Sequence, residues 1–380
     1  MLHAPARETI SRILAGDGFT DRALALTLAG SLAEITAIPP GLCERAFCRS
    51  LSMTPDHSAA TPIAPSDTPL PSNERELSDQ LAQHLVQQAG SAGRHAAALQ
   101  ALVSLWPHVG ATERPGMRRR FLSGTATLAT PVGGEVSPSE LRRWQRDLPT
   151  SGSLLPPSVA SLGLLLNEPD QRRAYHALAE HLGASLDPAI LGWVLGGLAV
   201  QELLHRRDRD GGLLNCLLGA MALKRLASQV SPEHLATLIS QIALQLWWLR
   251  RHGNLAPIRS CLDGAARPLG EAVRSGDITA AQRAARAISA VPAALWRELT
   301  ALLEMASGWR DHHWLRALSA ITVLAWRSGD ALSPDDAAAT ATVLADLRRR
   351  GIVKAVRGQL IVKQRERLLA DTARSGRRAR

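Results

Sequence analysis

The chain has 380 residues, enough for two or three domains with a full hydrophobic core. Alanine, leucine and arginine dominate, and aromatic residues are scarce, with nine Trp against one Tyr and three Phe. This composition favours helices over sheets. The four cysteines contain no Cys-x-x-Cys pair or regular spacing, which argues against a disulfide scaffold and a zinc finger: Cys43, Cys48, Cys216 and Cys261.

The formal net charge of +10 is concentrated at one end of the chain. Residues 341–380 contain twelve Lys and Arg against three acidic residues, a net charge of +9, so residues 1–340 carry only about +1. Any argument for binding a polyanion therefore depends on the carboxyl-terminal segment.

Neither a secretory signal nor a membrane span is predicted from the sequence. The first residues include Glu8 and Asp17 and lack the basic-then-apolar order of a signal peptide. The longest charge-free helical run, from Leu235 to Leu249, is too short to cross a bilayer and contains Ser and Gln. We expect a soluble, cytoplasmic protein.

The amino-terminal part is predicted to be a helical segment followed by a linker. Within residues 1–51 the clearest helix runs from Thr20 to Leu32, before Pro39-Pro40-Gly41. Residues 52–74 are rich in Pro, Ser and Thr and nearly lack large apolar side chains, so they cannot bury enough surface to offset the entropy of ordering. We predict that 52–74 is disordered.

Residues 75–328 are predicted to form a helical core domain. Apolar residues recur there at three- and four-residue spacing, and the stretch DPAILGWVLGGLAVQELL is apolar on nearly every side, so other helices must enclose it. We expect a mainly α fold, an irregular helical bundle or a set of stacked helical hairpins. The best evidence is a series of capping residues at predicted helix starts, four of them followed by proline: Ser137, Asp187, Ser231, Thr279 and Ser333.

The remaining segment, 329–380, is predicted to be a basic helix, hairpin and helix. ATATVLADLRRR is typical of a helix that ends at Gly351. IVKAV and QLIVK are short β-prone runs separated by Arg357-Gly358, which is consistent with a tight turn, and RERLLADTA resumes as a helix.

This order has a local resemblance to a known family. The stretch DLRRRGIVKAVRGQLIVKQRERLLA, about 25 residues, resembles the last helix and wing of bacterial regulators of the cyclic-nucleotide-receptor type. The resemblance implies a wing that lies along a nucleic-acid backbone. It is confined to this stretch, because the sequence between Trp326 and Thr342 has room for only one short helix where the family has two, and nothing upstream resembles a nucleotide-binding β-roll.

The leading functional hypothesis is a non-enzymatic interaction protein that acts in regulation or in a larger assembly. Its basic segment would bind nucleic acid or another polyanion, although the same charges would also attract an acidic protein surface. The alternative for this segment is a solvated helix end with a hairpin packed on the bundle. The residues predicted to contact phosphates are Arg348, Arg349, Arg350, Lys354, Arg357, Lys363, Arg365 and Arg367.

The second hypothesis is a helical-bundle enzyme, similar to a metal-dependent oxygenase. Glu202 and His205 form a Glu-x-x-His pair on one helical face, as in carboxylate-bridged di-iron bundles, but the second such motif is missing. The pocket would be lined by His176, His181, Glu202, His205 and His312. Ordinary surface or core histidines explain the same residues, and phosphate-loop, dinucleotide-binding and nucleophile-elbow motifs are absent from the sequence, so we expect no cofactor.

The tryptophans allow two interpretations. The set that could stack on bases or line a cavity includes Trp247, Trp248, Trp309, Trp314 and Trp326. Because the tryptophans alternate with Leu and Ala at helical spacing, packing in the core is the more usual role.

Overall fold

The computed structural model describes residues 73–87, 92–108, 110–112, 114–125, 134, 136–146, 159–182, 187–258, 267–306 and 333–350, together with six helical positions between 317 and 327. The predicted segment 1–51, the linker except Asn73 and Glu74, and the hairpin after Arg350 lie outside the described residues.

Within this part of the chain the fold is mainly α, as predicted. Its amino-terminal half contains α1 (Glu74–Gln87), α2 (Ala92–Leu105) with a 3-10 turn (Trp106–His108), α3 (Arg114–Thr125), α4 (Pro138–Arg146), α5 (Val159–Gly163) with a second 3-10 turn (Leu164–Asn167), and α6 (Gln171–Leu182). The rest contains α7 (Pro188–His205), β1 (Arg206–Asp208), α8 (Gly212–Leu226), α9 (Pro232–His252), β2 (Leu255–Pro257), α10 (Leu269–Ser275), α11 (Ile278–Ser289), α12 (Pro292–Ala306) and α13 (334–350).

The proline-marked helix starts are confirmed. Helices begin directly after Ser137, Asp187, Ser231 and Ser333. Asp187 accepts a hydrogen bond from the backbone N–H of Ala189 at 2.8 Å, which satisfies one of the unpaired donors at the start of α7.

Two predicted caps need correction. The start of α11 is capped by Asp277, which accepts from the backbone N–H of Ala280 at 3.0 Å, and not by Thr279. The left-handed Gly276 ends α10 directly before it, so the next helix begins two residues earlier than predicted. At α9 the Ser231 side chain makes no capping hydrogen bond, because its hydroxyl lies against a histidine ring.

The centre of the bundle is formed by α8, which packs between α2 and α7. Residues on every side of α8 are buried, as they are along most of α7. Glycines let the helix backbones touch: a Cβ on Gly219 would lie 2.4 Å from Cα of Gly93, and one on Gly192 would lie 2.4 Å from the carbonyl oxygen of Ala220. The three helices are therefore closer together than larger side chains would allow.

Helix α13 belongs to the same core. Its inner residues from Ala337 to Leu347 are part of the hydrophobic cluster formed by the upstream helices. A buried polar bridge fixes its position, because Gln282 Nε2 donates to Thr342 Oγ1 at 2.9 Å and to the carbonyl oxygen of Leu204 at 2.8 Å. The domain boundary at 328/329 stays a prediction, but the described part of the basic segment is packed into the bundle.

The two-stranded antiparallel pair of β1 and β2 was not predicted. The charged run after His205 had the pattern of a solvated helix end, yet Arg206 pairs with Pro257, Arg207 with Ala256 and Asp208 with Leu255. This pair ties the segment that follows α7 to the segment that follows α9.

Among the described helices only α7 is long and apolar enough to span a membrane by length and composition. Of that stretch 67% is buried inside the protein, which is the environment of a core helix.

Candidate nucleic-acid interface

The carboxyl-terminal ends of α7, α9 and α13 meet around β1. Arg206 Nη1 donates to the carbonyl oxygen of Arg250 at 3.0 Å, and Arg350 donates to the carbonyl oxygens of Asp208, at 2.7 Å, and Arg209. We call the eight arginines of this region the arginine end: Arg206, Arg207, Arg209, Arg250, Arg251, Arg348, Arg349 and Arg350. Four acidic residues lie among them, which leaves a formal charge of +4: Glu202, Asp208, Asp210 and Asp346.

Arg207 interacts electrostatically with four other charged residues of this region. Burial lowers the pKa of its guanidinium below the usual value, while Asp346, at 3.9 Å, raises it. The positive charges of Arg349, Arg209 and Arg350 lower the pKa of Arg207 further. Because four cationic groups repel one another here, a bound anion would relieve that repulsion.

The three predicted phosphate-binding arginines of α13 have different environments. Arg349 is exposed, and its Cα and Cβ pack against Gly276. Arg348 Nε donates to the carbonyl oxygen of Arg274 at 3.4 Å. Arg350 also donates to the buried carboxylate of Asp346, so much of its hydrogen-bonding capacity is used inside the protein.

The other predicted phosphate-binding residues, Lys354, Arg357, Lys363, Arg365 and Arg367, lie outside the described residues. Sequence reasoning missed Arg207 and Arg209. The charged run that contains them was visible, but its proximity to α13 comes from tertiary packing and has no local signal.

The carboxylate of Glu202 forms ion pairs with two arginines and belongs to no metal site among the described residues. Its Oε1 accepts from Arg250 Nη1 at 2.6 Å, and its Oε2 makes an ion pair with Arg206 Nε at 3.1 Å. In the part of the chain that the structure describes, no group of three or more His, Cys, Asp or Glu side chains is placed to hold a metal ion.

The remaining residues of the metal hypothesis are dispersed or lie outside the description. His205 is exposed at the end of α7, and His176 is partly buried on α6. The side chain of His181 and the whole of His312 lie outside the described residues. The Glu-x-x-His spacing correctly put Glu202 and His205 on one helix, but two guanidinium groups already neutralise the carboxylate.

An aromatic cluster lies at the end of α9, next to the arginine end. Trp247 Nε1 donates to the carbonyl oxygen of Glu168 at 2.9 Å, and the guanidinium of Arg251 lies 5.2 Å from the centre of the Trp247 ring. The exposed ring of His252 is 6.0 Å from that of Trp247 and 5.8 Å from that of Trp248. The cluster therefore combines buried and exposed rings with a cationic group.

Asp79, His234 and Ser231 form a group that the sequence did not indicate. The carboxylate of Asp79 and the hydroxyl of Ser231 both contact Nδ1 of His234, at 2.9 and 3.0 Å. A serine hydrolase needs its serine at the other ring nitrogen, Nε2, so this arrangement is not a catalytic relay. Burial raises the pKa of Asp79, but hydrogen bonds from His234 and Ser231 outweigh it and hold that pKa below its usual value.

A buried ion pair lines the narrow cavity between α7, α8 and α13. Arg327 Nε donates to Asp336 at 2.7 Å, and the Arg327 guanidinium lies 4.2 Å from the centre of the Trp193 ring. Burial raises the pKa of Asp336 despite the opposing effect of Arg327. The cavity has room for about one water molecule, so it is too small for an organic substrate.

Comparison with known proteins adds no relative. No family model matches the chain, and neither a curated protein nor a solved structure is similar to it.

Proposed function

We propose that the protein is an interaction protein that binds nucleic acid by its phosphate backbone, with the arginine end as the folded part of the binding surface. The observation that carries this proposal is the crowding of guanidinium groups around Arg207: three other arginines act on it electrostatically, and its ion-pair partner among the described residues is Asp346, at 3.9 Å. A row of phosphates is the chemical group that such a cluster binds best.

The chain that follows α13 would extend this surface. Residues 351–380 contain nine Lys and Arg against Glu366 and Asp371, a net charge of +7. They directly follow Arg350, whose guanidinium donates to the carbonyl oxygens of Asp208, at the end of β1, and of Arg209. The folded arginines and the segment after them would therefore contact neighbouring phosphates along one strand or duplex. We propose that this takes place in the cytoplasm.

The salt dependence of binding tests this proposal. The affinity of the full chain for a labelled DNA duplex would be measured at several salt concentrations, and if about six phosphates are neutralised, the slope of log affinity against log salt is roughly −5. Salt-independent binding, or no binding at low salt, would overturn the proposal. A preference for polyglutamate over DNA of equal charge would make an acidic protein the partner instead.

A truncation separates the two parts of the surface. Deleting 352–380 keeps the buried residues of α13 and the anchored Arg350, so the bundle should stay folded. We expect weaker DNA binding with a flatter salt slope, and the binding that remains should depend on Arg207 and Arg349. Deletion of 347–380 is the less informative variant, because it also removes the buried Leu347 and the hydrogen bonds that Arg350 donates.

A matched control variant is available on another helix. Arg297 is exposed on α12 and lies outside the arginine end, so Arg297→Ala removes one positive charge without touching the proposed surface. We expect this variant to bind DNA as the unaltered protein does. If it weakened binding as much as Arg349→Ala, overall charge and not the arginine end would explain the affinity.

A further inference from the structure

The aromatic cluster at the end of α9 borders the proposed phosphate-binding surface. Asn254, two residues beyond His252, accepts a hydrogen bond from Arg209 Nη1 at 3.4 Å, and Arg206 bonds to the carbonyl oxygen of Arg250. Arg251 of the arginine end lies 5.2 Å from the centre of the Trp247 ring, and the His252 ring is 6.0 Å from that same ring, so a guanidinium and the exposed histidine pack against one indole. We name Trp247, Trp248 and His252 the Trp–His platform.

The two tryptophans of the platform are held in place. The hydrogen bond from Trp247 to Glu168 and the Arg251 guanidinium beside its ring fix the first. The backbone of Gly134 packs against the second, since a Cβ on Gly134 would lie 2.3 Å from Cβ of Trp248. The histidine ring is supported by both and is exposed to solvent. The platform therefore presents an anchored ring surface to a ligand.

We infer that the nucleic acid bound at the arginine end is single-stranded, with one base stacked on the His252 ring while its phosphates contact the arginines. This inference rests on the proposed function. An aromatic ring beside a cationic surface is the combination by which proteins bind single strands, because every base offers a flat face and the phosphates supply the charge. A base in a duplex is already stacked and paired, so it would first have to be extruded before it reached the ring.

Three labelled ligands of equal length test the inference with the full chain: a DNA single strand, the corresponding duplex, and an abasic single strand that keeps the phosphates but has no bases. We expect the normal single strand to bind more tightly than the other two. His252→Ala should weaken binding of the normal single strand about tenfold and leave binding of the abasic strand unchanged.

Two further variants control for charge and for position. His252→Tyr keeps an aromatic ring and should retain most of the affinity for the normal single strand. His205→Ala removes another exposed histidine, which lies beside the arginine end but outside the Trp–His platform, and should leave the preference for the normal over the abasic strand unchanged. Circular dichroism of each variant would verify that the helices remain folded.

The outcomes separate the inference from the proposed function. Equal affinity for normal and abasic strands, or a His252→Ala variant that binds the normal strand unchanged, would overturn the single-strand inference and leave phosphate binding standing. Failure to bind any of the three ligands at low salt would overturn the proposed function itself.

Discussion

The centre of the bundle and the arginine end are built on opposite principles. At the centre, α2, α7 and α8 touch through their backbones at glycine positions, and apolar side chains fill the space around them. At the arginine end, long cationic side chains reach across gaps to backbone carbonyls and to a few carboxylates. The space left for side chains therefore restricts which residues the centre can hold, whereas the balance of charges restricts the arginine end.

This difference predicts whether a substitution changes the free energy of unfolding or the affinity for a ligand. An added atom at the centre has nowhere to go, so it should change the free energy of unfolding. An exposed guanidinium can be removed from the arginine end without a cavity or a clash, so its loss should change binding and leave folding almost unaltered. Variants that separate stability from affinity therefore test the comparison directly.

The largest effect is expected for Gly219→Ala. The new Cβ would lie 2.4 Å from Cα of Gly93, which is backbone and cannot rotate away, so α2 and α8 must move apart. We expect the free energy of unfolding to fall by about 2 to 3 kcal/mol. Urea denaturation followed by circular dichroism measures this.

Gly116→Ala is the matched control for this overpacking. Gly116 is also helical, on α3, but a Cβ there meets no atom within 4 Å. Alanine in a helix is favoured over glycine by about 0.5 to 1 kcal/mol, so this variant should be slightly more stable than the unaltered protein. Destabilisation of both variants to the same extent would contradict the close-packing argument.

A buried histidine near the centre is the next test. His95 on α2 is 1% exposed, and burial, assisted by the charges of Arg94 and His84, lowers its pKa to about 4 from an ordinary value of 6.5. Below pH 6.5 His95 is protonated in the unfolded chain, but in the folded protein it stays neutral down to about pH 4. Acidification between these two values therefore favours unfolding. Between about pH 7.5 and about pH 5 the loss attributable to His95 is about 2 kcal/mol.

His95→Leu isolates this contribution. The variant replaces the titrating ring, whose Nε2 has no hydrogen-bond partner among the described residues, with an apolar side chain. Urea unfolding at both pH values should show a smaller decrease for the variant. An identical decrease in the two proteins would show that His95 is not the group responsible.

Arg350 is the residue whose loss should change both stability and binding. Its guanidinium binds two backbone carbonyls and the carboxylate of Asp346. Among the described residues, the second ion-pair partner of Asp346 is Arg207, at 3.9 Å. Arg350→Ala leaves that buried carboxylate poorly paired, and we expect a loss of about 1 to 2 kcal/mol of stability together with weaker DNA binding. Unchanged stability would mean that the hydrogen bonds of Arg350 contribute little to the fold.

The elements that sequence reasoning predicted correctly depend on local chemistry. Serine or aspartate followed by proline favours a helix start through a side-chain cap and a proline at the first helical position, which explains the success at Ser137, Asp187 and Ser333. At Ser231 the side chain makes no cap, and the proline at the first helical position is the local signal. The all-round apolar character of α7 likewise predicted its burial.

The features that were missed depend on residues far apart in the chain. β1 has three residues, and its partner strand begins 47 positions later, so nothing local distinguishes it from a helix end. The Glu202–Arg206 pair has the i,i+4 spacing that predicts an ion pair, but the contribution of Arg250 comes from another helix. The electrostatic influence of Arg349 on Arg207 likewise comes from tertiary packing, so the sequence predicted the candidate interface only on its α13 side.

The smallest effect on stability, and the sharpest test of the arginine end, is expected for Arg349→Ala. The side chain is exposed, so its removal should change the free energy of unfolding by less than about 0.5 kcal/mol. Its positive charge is nevertheless one of those that lower the pKa of Arg207, so it contributes to the field of the proposed phosphate-binding surface. Each lost phosphate contact should flatten the plot of log affinity against log salt by about one unit, without a change in sequence preference. Arg207→Ala should flatten it by a similar amount. If both single variants kept the full slope while deletion of 352–380 removed it entirely, the folded arginines would have no part in binding and the interface would lie wholly in the segment after α13.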